Sequence, residues 1–271
     1  MEAGQSRADM VHVFGKDRSK DLKESNPYGI PTTNANIQAP LASLNVLYER
    51  MPKTAGCEQC QQQNGKDSFW CCQIICPSMY YVEFLNVWAE VQKWNMKKRL
   101  PIILRAIKTY LSNKDSKGCI FYDNKCLVYN QRPINCRFYG VISQSSWDKR
   151  TTALKERYKD QELSEDFQRK LTQCDLVSND DGTECIPEDT EQRWFEHTTG
   201  CEARIGINPL TILEHDSPKG SYRTFHDHIM LEFVDTVALS QLTKIKMSLP
   251  TEEDINAFAD ALFEKTKENL K

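Results

Sequence analysis

Residues 57–77 read CEQCQQQNGKDSFWCCQIICP, with cysteine at positions 57, 60, 71, 72 and 76 and a single glycine. The apolar residues follow neither the helical nor the strand period. Such a stretch has no hydrophobic face of its own to hold it. Bound metal is what would order it, because closing a thiolate site and folding the chain around it are one event. Beyond it lie Cys119, Cys126 and Cys136, so eight of the eleven cysteines fall between Cys57 and Cys136. A density of about 10% is the level of stapled or metal-bound chains.

Three features favour metal over disulfides. The total of eleven cysteines is odd, which argues against a complete set of internal bridges. Cys71 and Cys72 are adjacent and would need a strained ring to bond each other. The first residues are polar with no hydrophobic centre, unlike a secretory leader. The expectation is a cytoplasmic, reducing compartment, where clustered cysteines serve as metal ligands. Some of these thiols could instead be packed as small hydrophobes.

Helical patterns flank the cluster. Leu44, Leu47 and Tyr48 share a face in a short helix from Leu41 to about Arg50, ended by Met51-Pro52. Pro77-Ser78 opens a helix to about Asn95, with Tyr81, Phe84, Leu85, Trp88 and Val91 at helical spacing. Another is expected from about Pro101 to Leu111, with proline near its first turn. The two form a hairpin that can return the chain so that both knots of cysteine meet. Residues 118–140 read as irregular, Trp147 to about Leu171 as charged and helical, and Asn179-Asp180-Asp181-Gly182 as a turn. Ile229, Phe233, Val237 and Ala238 stripe one late helix. Thr251-Glu252-Glu253-Asp254 resembles a capping box, before a stripe of Ile255, Phe258, Ala259 and Leu262. The fold class expected is mainly α, an irregular cysteine-rich metal-binding knot surrounded by helices. Its parts are a polar arm over 1–40, with turn signals at residues 26–31, a cysteine-cluster region over 41–145, and a helical region over 146–271.

The 271 residues carry a formal charge of −3, from 35 basic and 38 acidic side chains. That balance predicts no nucleic-acid surface, and no apolar run approaches the ~20 residues of a membrane helix.

The second knot reads Cys126-Leu-Val-Tyr129-Asn-Gln-Arg132-Pro133-Ile-Asn-Cys136-Arg137-Phe138. This pattern, Cys-x2-Tyr-x2-Arg-Pro-x2-Cys-Arg-Phe behind a Cys-x2-Cys and a Cys-Cys pair, resembles the YkgJ-like cysteine-cluster family, also described as zinc- or iron-chelating domains. The resemblance covers roughly residues 50–140. It implies metal chelation and says little about a reaction. Two departures leave the ligand set open: the gap from Cys60 to Cys71 is longer than the family's, and Cys76 is additional.

The candidate ligands are Cys57, Cys60, Cys71, Cys72, Cys76, Cys119, Cys126 and Cys136. Arg132 and Arg137 bracket Cys136. A thiolate-held metal centre is negative, so a guanidinium beside it offsets charge and donates to sulfur; a surface salt bridge is the plainer role. Tyr129 reads as core, and Pro133 as the residue fixing the turn. Cys174, Cys185 and Cys201 with His197 could make a second site, could complete the first, or could be coincidental. Phe225-His226-Asp227-His228 sets two imidazoles around a carboxylate; it should start a helix, with Asp227 near its first turn, or could contribute to a metal or catalytic site.

Thiolates suit zinc and iron–sulfur clusters. The excess over the four that one zinc needs favours an iron–sulfur cluster, a four-iron form being expected, in an electron carrier or a redox or modifying enzyme. The alternative is structural Zn2+ in a partner-binding protein. Metal storage, delivery or thiol redox chemistry is a third class. Expected partners are the metal centre and a protein or redox partner, with no nucleic acid and no membrane. No Gly-rich phosphate loop, nucleophile elbow or His-Glu-x-x-His motif is present, so the residues do not decide between enzyme and carrier.

Overall fold

The protein is described by a computed structural model over residues 34–57, 59–60, 69–112, 114, 117–160, 162–213, 220–233, 236–249 and 251–269. The turn signals at 26–31 and most of the polar arm lie outside these residues. The elements are α1 (Asn34–Arg50), β1 (Thr54–Ala55), α2 (Trp70–Ile74), β2 (Ser78–Met79), α3 (Tyr81–Val91) and α4 (Met96–Leu111). They continue with α5 (Ile134–Phe138), α6 (Gln144–Arg157), α7 (Glu165–Lys170), β3 (Ser178–Asn179), α8 (Glu188–Arg204) and α9 (Pro209–Leu213). β4 (Arg223–Thr224), α10 (Phe225–Phe233), α11 (Thr236–Ser248) and α12 (Glu252–Asn269) complete the chain. The mainly α class holds. Among the described residues, strands occur as two antiparallel pairs, β1 with β3 and β2 with β4. No helix among the described residues is long and apolar enough to cross a membrane.

α3 is the hub. Tyr81, Val82, Phe84, Leu85, Val87, Trp88 and Val91 are all buried, and a helix apolar all round must be enclosed. α1 and α8 pack against it and against each other, and α10 crosses it while also packing on α4. α4 in turn carries α11 and α12. Phe84 stacks on Tyr81, Trp88 and His228 at 5.8, 5.8 and 5.0 Å between ring centres.

Several boundaries differ from the sequence expectation, each for a local reason. α1 starts at Asn34 and carries Pro40 inside it; Ile37 extends the buried stripe of Leu41, Leu44 and Tyr48. α3 starts at Tyr81 because residues 78–79 pair with β4 and Tyr80 forms a capping box with Glu83. α4 starts at Met96, capped by the Asn95 side chain, which accepts from Lys98 N–H at 3.0 Å. The charged stretch is two helices, α6 and α7, each capped by a serine, Ser143 and Ser164. The stripe from Ile229 to Ala238 is divided between α10 and α11. Residues 118–140 are not wholly irregular, since they hold a 3-10 turn at Tyr129–Gln131 and α5. The turn at 179–182 is present, with Gly182 N–H donating to Asn179 O. At the start of α12, Thr251 Oγ1 accepts from Asp254 N–H at 3.1 Å, as a cap should.

The N-terminal end of α3 gathers buried carboxylates. Glu83 accepts from Tyr48 Oη at 2.6 Å, Tyr80 N–H at 3.0 Å and Ile134 N–H at 2.6 Å. Glu202 accepts from Tyr81 and Val82 N–H at 3.0 and 2.7 Å. These acceptors satisfy helix amides that would otherwise be buried without partners.

His228 makes a pH prediction here. Its Nε2 lies 3.2 Å from Met79 O, which assigns the proton to that nitrogen. Its Nδ1 has no hydrogen-bond partner among the described residues. Burial pushes the ring down to about 4. A depressed imidazole contributes its stability in full above the unfolded value near 6.5 and loses it as pH falls toward 4. His228→Phe keeps the stack and removes the proton site. Between pH 7 and 4 the unaltered protein should lose roughly 3 kcal/mol that the variant keeps. Glu202, pushed up to about 7 by burial, acts in the opposite sense: its stability is complete in acid and lost as pH rises through 7. That contribution is common to both proteins and leaves the difference intact. Denaturant melts across the range check this; parallel curves would refute it.

Candidate metal centre

Three close backbone approaches bring the cysteine segments together. Gly118 lies so near the first knot that a Cβ there would stand 2.3 Å from Gln73 O. Next to it, Cys119 N–H donates to Cys72 O at 2.7 Å, and Lys117 forms a parallel bridge with Ile75. Gly56 has φ +94°, and a Cβ there would stand 2.0 Å from Leu176 O. It joins the start of Cys57-x2-Cys60 to the segment after Cys174, alongside the β1–β3 pair. Gly140 has φ +82° and sits against Val177 and Cys174 O. Only glycine meets both the positive φ and the clearance at positions 56 and 140.

The sulfurs follow their backbones. Cys57 lies within electrostatic reach of Cys71, Cys174 and Cys60, and Cys126 within reach of Cys71 and Cys57. Cys136 senses Cys126 and Cys71, and Cys71 is hydrogen-bonded to Cys72. The Arg132 guanidinium opposes the burial of four thiols at once, those of Cys57, Cys71, Cys126 and Cys136. It is held by donating from Nε to Tyr129 O and from Nη2 to Thr54 Oγ1, and it stacks 3.6 Å over the Tyr129 ring. Tyr129 is therefore not core: it is 38% exposed and anchors through its hydroxyl to Thr54 O. Arg137 does not lie at the surface. It is buried, donates to the carbonyls of Arg132 and Asn130, and lies over Tyr48.

The first knot is less coreless than its composition suggests. Trp70 and Ile74 of α2 bury with Cys60 and Cys174, and Tyr139 packs edge-on against Trp70 at 5.9 Å. Cys60 Sγ accepts from Phe69 N–H at 3.2 Å. Cys174 thus belongs beside the main group, which spacing along the chain could not reveal. The other members of its hypothetical second site go elsewhere. Cys201 is fully buried in the main core with Arg204 3.0 Å from its sulfur, and His197 is exposed against Ser43. Cys185 sits half-buried before Ile186, which bridges to Ile142. Cys119 lies between two groups, sensing Cys136 and Cys126 on one side and Cys76 on the other. Cys76 faces His226.

No family model, curated protein or solved structure matches this chain. The site has to be read from its own chemistry.

Burial raises the thiols of Cys57, Cys119, Cys126, Cys136 and Cys174 above their ordinary range. Hydrogen bonding to Cys72, ahead of burial, does the same for Cys71. A metal must displace those protons to bind. As they stand, no three or more His, Cys, Asp or Glu side chains among the described residues are disposed to hold a metal ion. The donors suit a soft metal in kind, and their backbones converge.

Proposed function

We propose that the chain is a metal-binding cysteine-cluster protein that holds an iron–sulfur cluster. The observation that carries this is that the Arg132 guanidinium bears on the thiols of Cys57, Cys71, Cys126 and Cys136, which lie on three separate segments. The thiols of Cys60, Cys72 and Cys174 in turn bear on Cys57 or Cys71. Together they outnumber the ligands of one tetrahedral zinc. The likeness of the Cys126–Phe138 segment to the YkgJ-like family supports the same reading.

Cys57, Cys71, Cys126 and Cys136, which share the guanidinium, are the proposed ligands. Cys60, Cys72 and Cys174 border them, with Cys119 at the edge. A cluster bound there supplies one-electron redox chemistry. Arg132 would offset the charge of the thiolates and donate to sulfur, and Tyr139 and Trp70 would shield one side from water. Tyr139 lies close enough to Cys71, Cys174 and Cys72 to feel their charge.

Anaerobic purification followed by iron, sulfide and zinc analysis, with electron paramagnetic resonance of the reduced protein, tests this. Iron and acid-labile sulfide with broad visible absorbance are expected. Colourless protein with one stoichiometric zinc would replace the iron–sulfur reading with a structural-zinc one. Absence of all three after reconstitution would end both.

A further inference from the structure

Cys76 stands apart from the sulfurs around Arg132. Its Sγ lies 3.4 Å from Nδ1 of His226, and Nε2 of the same ring lies 3.6 Å from Oδ1 of Asp227. Thiol, imidazole and carboxylate thus follow one another across the two ring nitrogens. That is the order in which a base activates a nucleophile and an acid orients the base. Thr224 braces the set: its hydroxyl donates to Asp227 Oδ2 at 2.6 Å, and its oxygen stands 3.0 and 3.2 Å from the two ring nitrogens.

A cavity of about 210 Å³ opens beside this pair, lined by Ile75, Cys76, Lys117, Lys170, Thr224 and His226. Cys76 is half-buried and forms part of the lining. The size suits a small molecule rather than a cofactor. Lys117 and Lys170 bring positive charge to the cavity lining. Burial and Lys246 hold Lys117 below its usual range, and Asp227, Cys76 and Glu252 act against that. The backbone N–H groups of His226 and Phe225, in the first turn of α10, and that of Ile120 face the sulfur. They favour negative charge as it develops there. Burial outweighs them at rest and pushes the thiol up to about 12, so the sulfur keeps its proton. Burial also pushes His226 down to about 4, which makes the neutral ring a weak base, so the proton moves only as the sulfur bonds to carbon and its S–H grows acidic.

We propose that Cys76 is a nucleophile, with His226 as its base and Asp227 as the orienting acid, for small ester substrates whose anionic group is held by Lys117 and Lys170. The sulfur bonds to the ester carbonyl carbon. Its proton passes to Nδ1 of His226 and on to the departing alkoxide as the carbon–oxygen bond breaks. Water then hydrolyses the thioester, releasing a carboxylic acid and restoring the thiol. Nothing here depends on the metal centre.

The test uses the full chain as isolated, with 4-nitrophenyl hemisuccinate as the anionic ester and 4-nitrophenyl acetate as the neutral one. Acylated cysteines are located by peptide mass, with half-buried Cys185 as internal reference. The hemisuccinate should acylate Cys76 about tenfold faster than the acetate, relative to Cys185. Lys117→Ala with Lys170→Ala should remove that preference. His226→Gln, which keeps most of the ring's volume, should slow Cys76 on the order of a hundredfold and leave Cys185 unchanged. Melting curves confirm that each variant is folded; should His226→Gln not fold, the lysine pair alone decides. Cys76 unreacted while Cys185 acylates would overturn the proposal. So would equal rates in His226→Gln, or labelling of Cys76 only after a chelator has removed metal.

Discussion

Cys126→Ser and Cys136→Ser are each expected to emerge with less than half the metal of the unaltered protein and to melt about 10 °C lower. Serine is nearly isosteric with cysteine, so neither change opens a cavity. What it removes is a thiolate. Losing a metal that binds only the folded chain withdraws on the order of 3 kcal/mol, which in a chain of this size is about 10 °C. Without metal, a single buried hydroxyl would cost only about 1 kcal/mol. Cys185→Ser, away from the group, should leave both metal content and melting unchanged. Full metal content and unmoved melting in the two variants would remove the basis for a shared centre.

Gly56→Ala should be among the most damaging single substitutions in the chain. The residue has φ +94°, and the new Cβ would stand 2.0 Å from Leu176 O. The obstacle is backbone, which cannot rotate aside. Strain at the positive φ and overpacking together cost roughly 3 kcal/mol or more. The separation it forces falls between Cys57 and Cys174, so metal content should drop along with melting temperature. Gly182→Ala is the control: φ is +79°, but nothing lies within 4 Å of a Cβ there. It should cost about 1 kcal/mol and spare the metal. If the two variants behave alike, the close approach at Gly56 has no bearing on the centre.

How much of this could be read in the residues depends on what carried each signal. α3, α4 and α12 are legible because Phe84, Trp88, Ile107, Ile255 and Leu262 repeat at helical spacing and are buried. α8 left no such trace. The face it buries includes Glu191, Thr198, Cys201 and Glu202, so its periodicity is polar and only a burial map reveals it. Its acidic first turn and terminal Arg204 were the available hints. The start of α4 was misplaced because Pro101 looked like a first-turn residue, whereas Asn95 was the cap.

For the candidate site, the density of thiols picked out the segments whose backbones approach one another, and the Arg-Pro-x2-Cys-Arg run picked out the arginine that bears on four of the thiols. Cys174 could be offered only as one of several alternatives, because a contact across more than a hundred residues has no local pattern. Cys76, counted with the other thiols because it is near them along the chain, has His226 as its neighbour in space, which spacing could not show.

One carboxylate joins the two halves of this architecture. Glu83 receives amides from the start of the central helix and from Ile134, two residues before Cys136, and also grips Tyr48 of α1. A disturbance around Cys136 is thereby transmitted to the amides that begin α3, and, on the proposed reading, those should be the first core positions to exchange with deuterium if an inorganic group bound there is withdrawn. In a cell, such opening would make the chain a substrate for proteolysis. If the proposed centre is bound, the abundance of the protein would then track the supply of that metal, without a dedicated sensor.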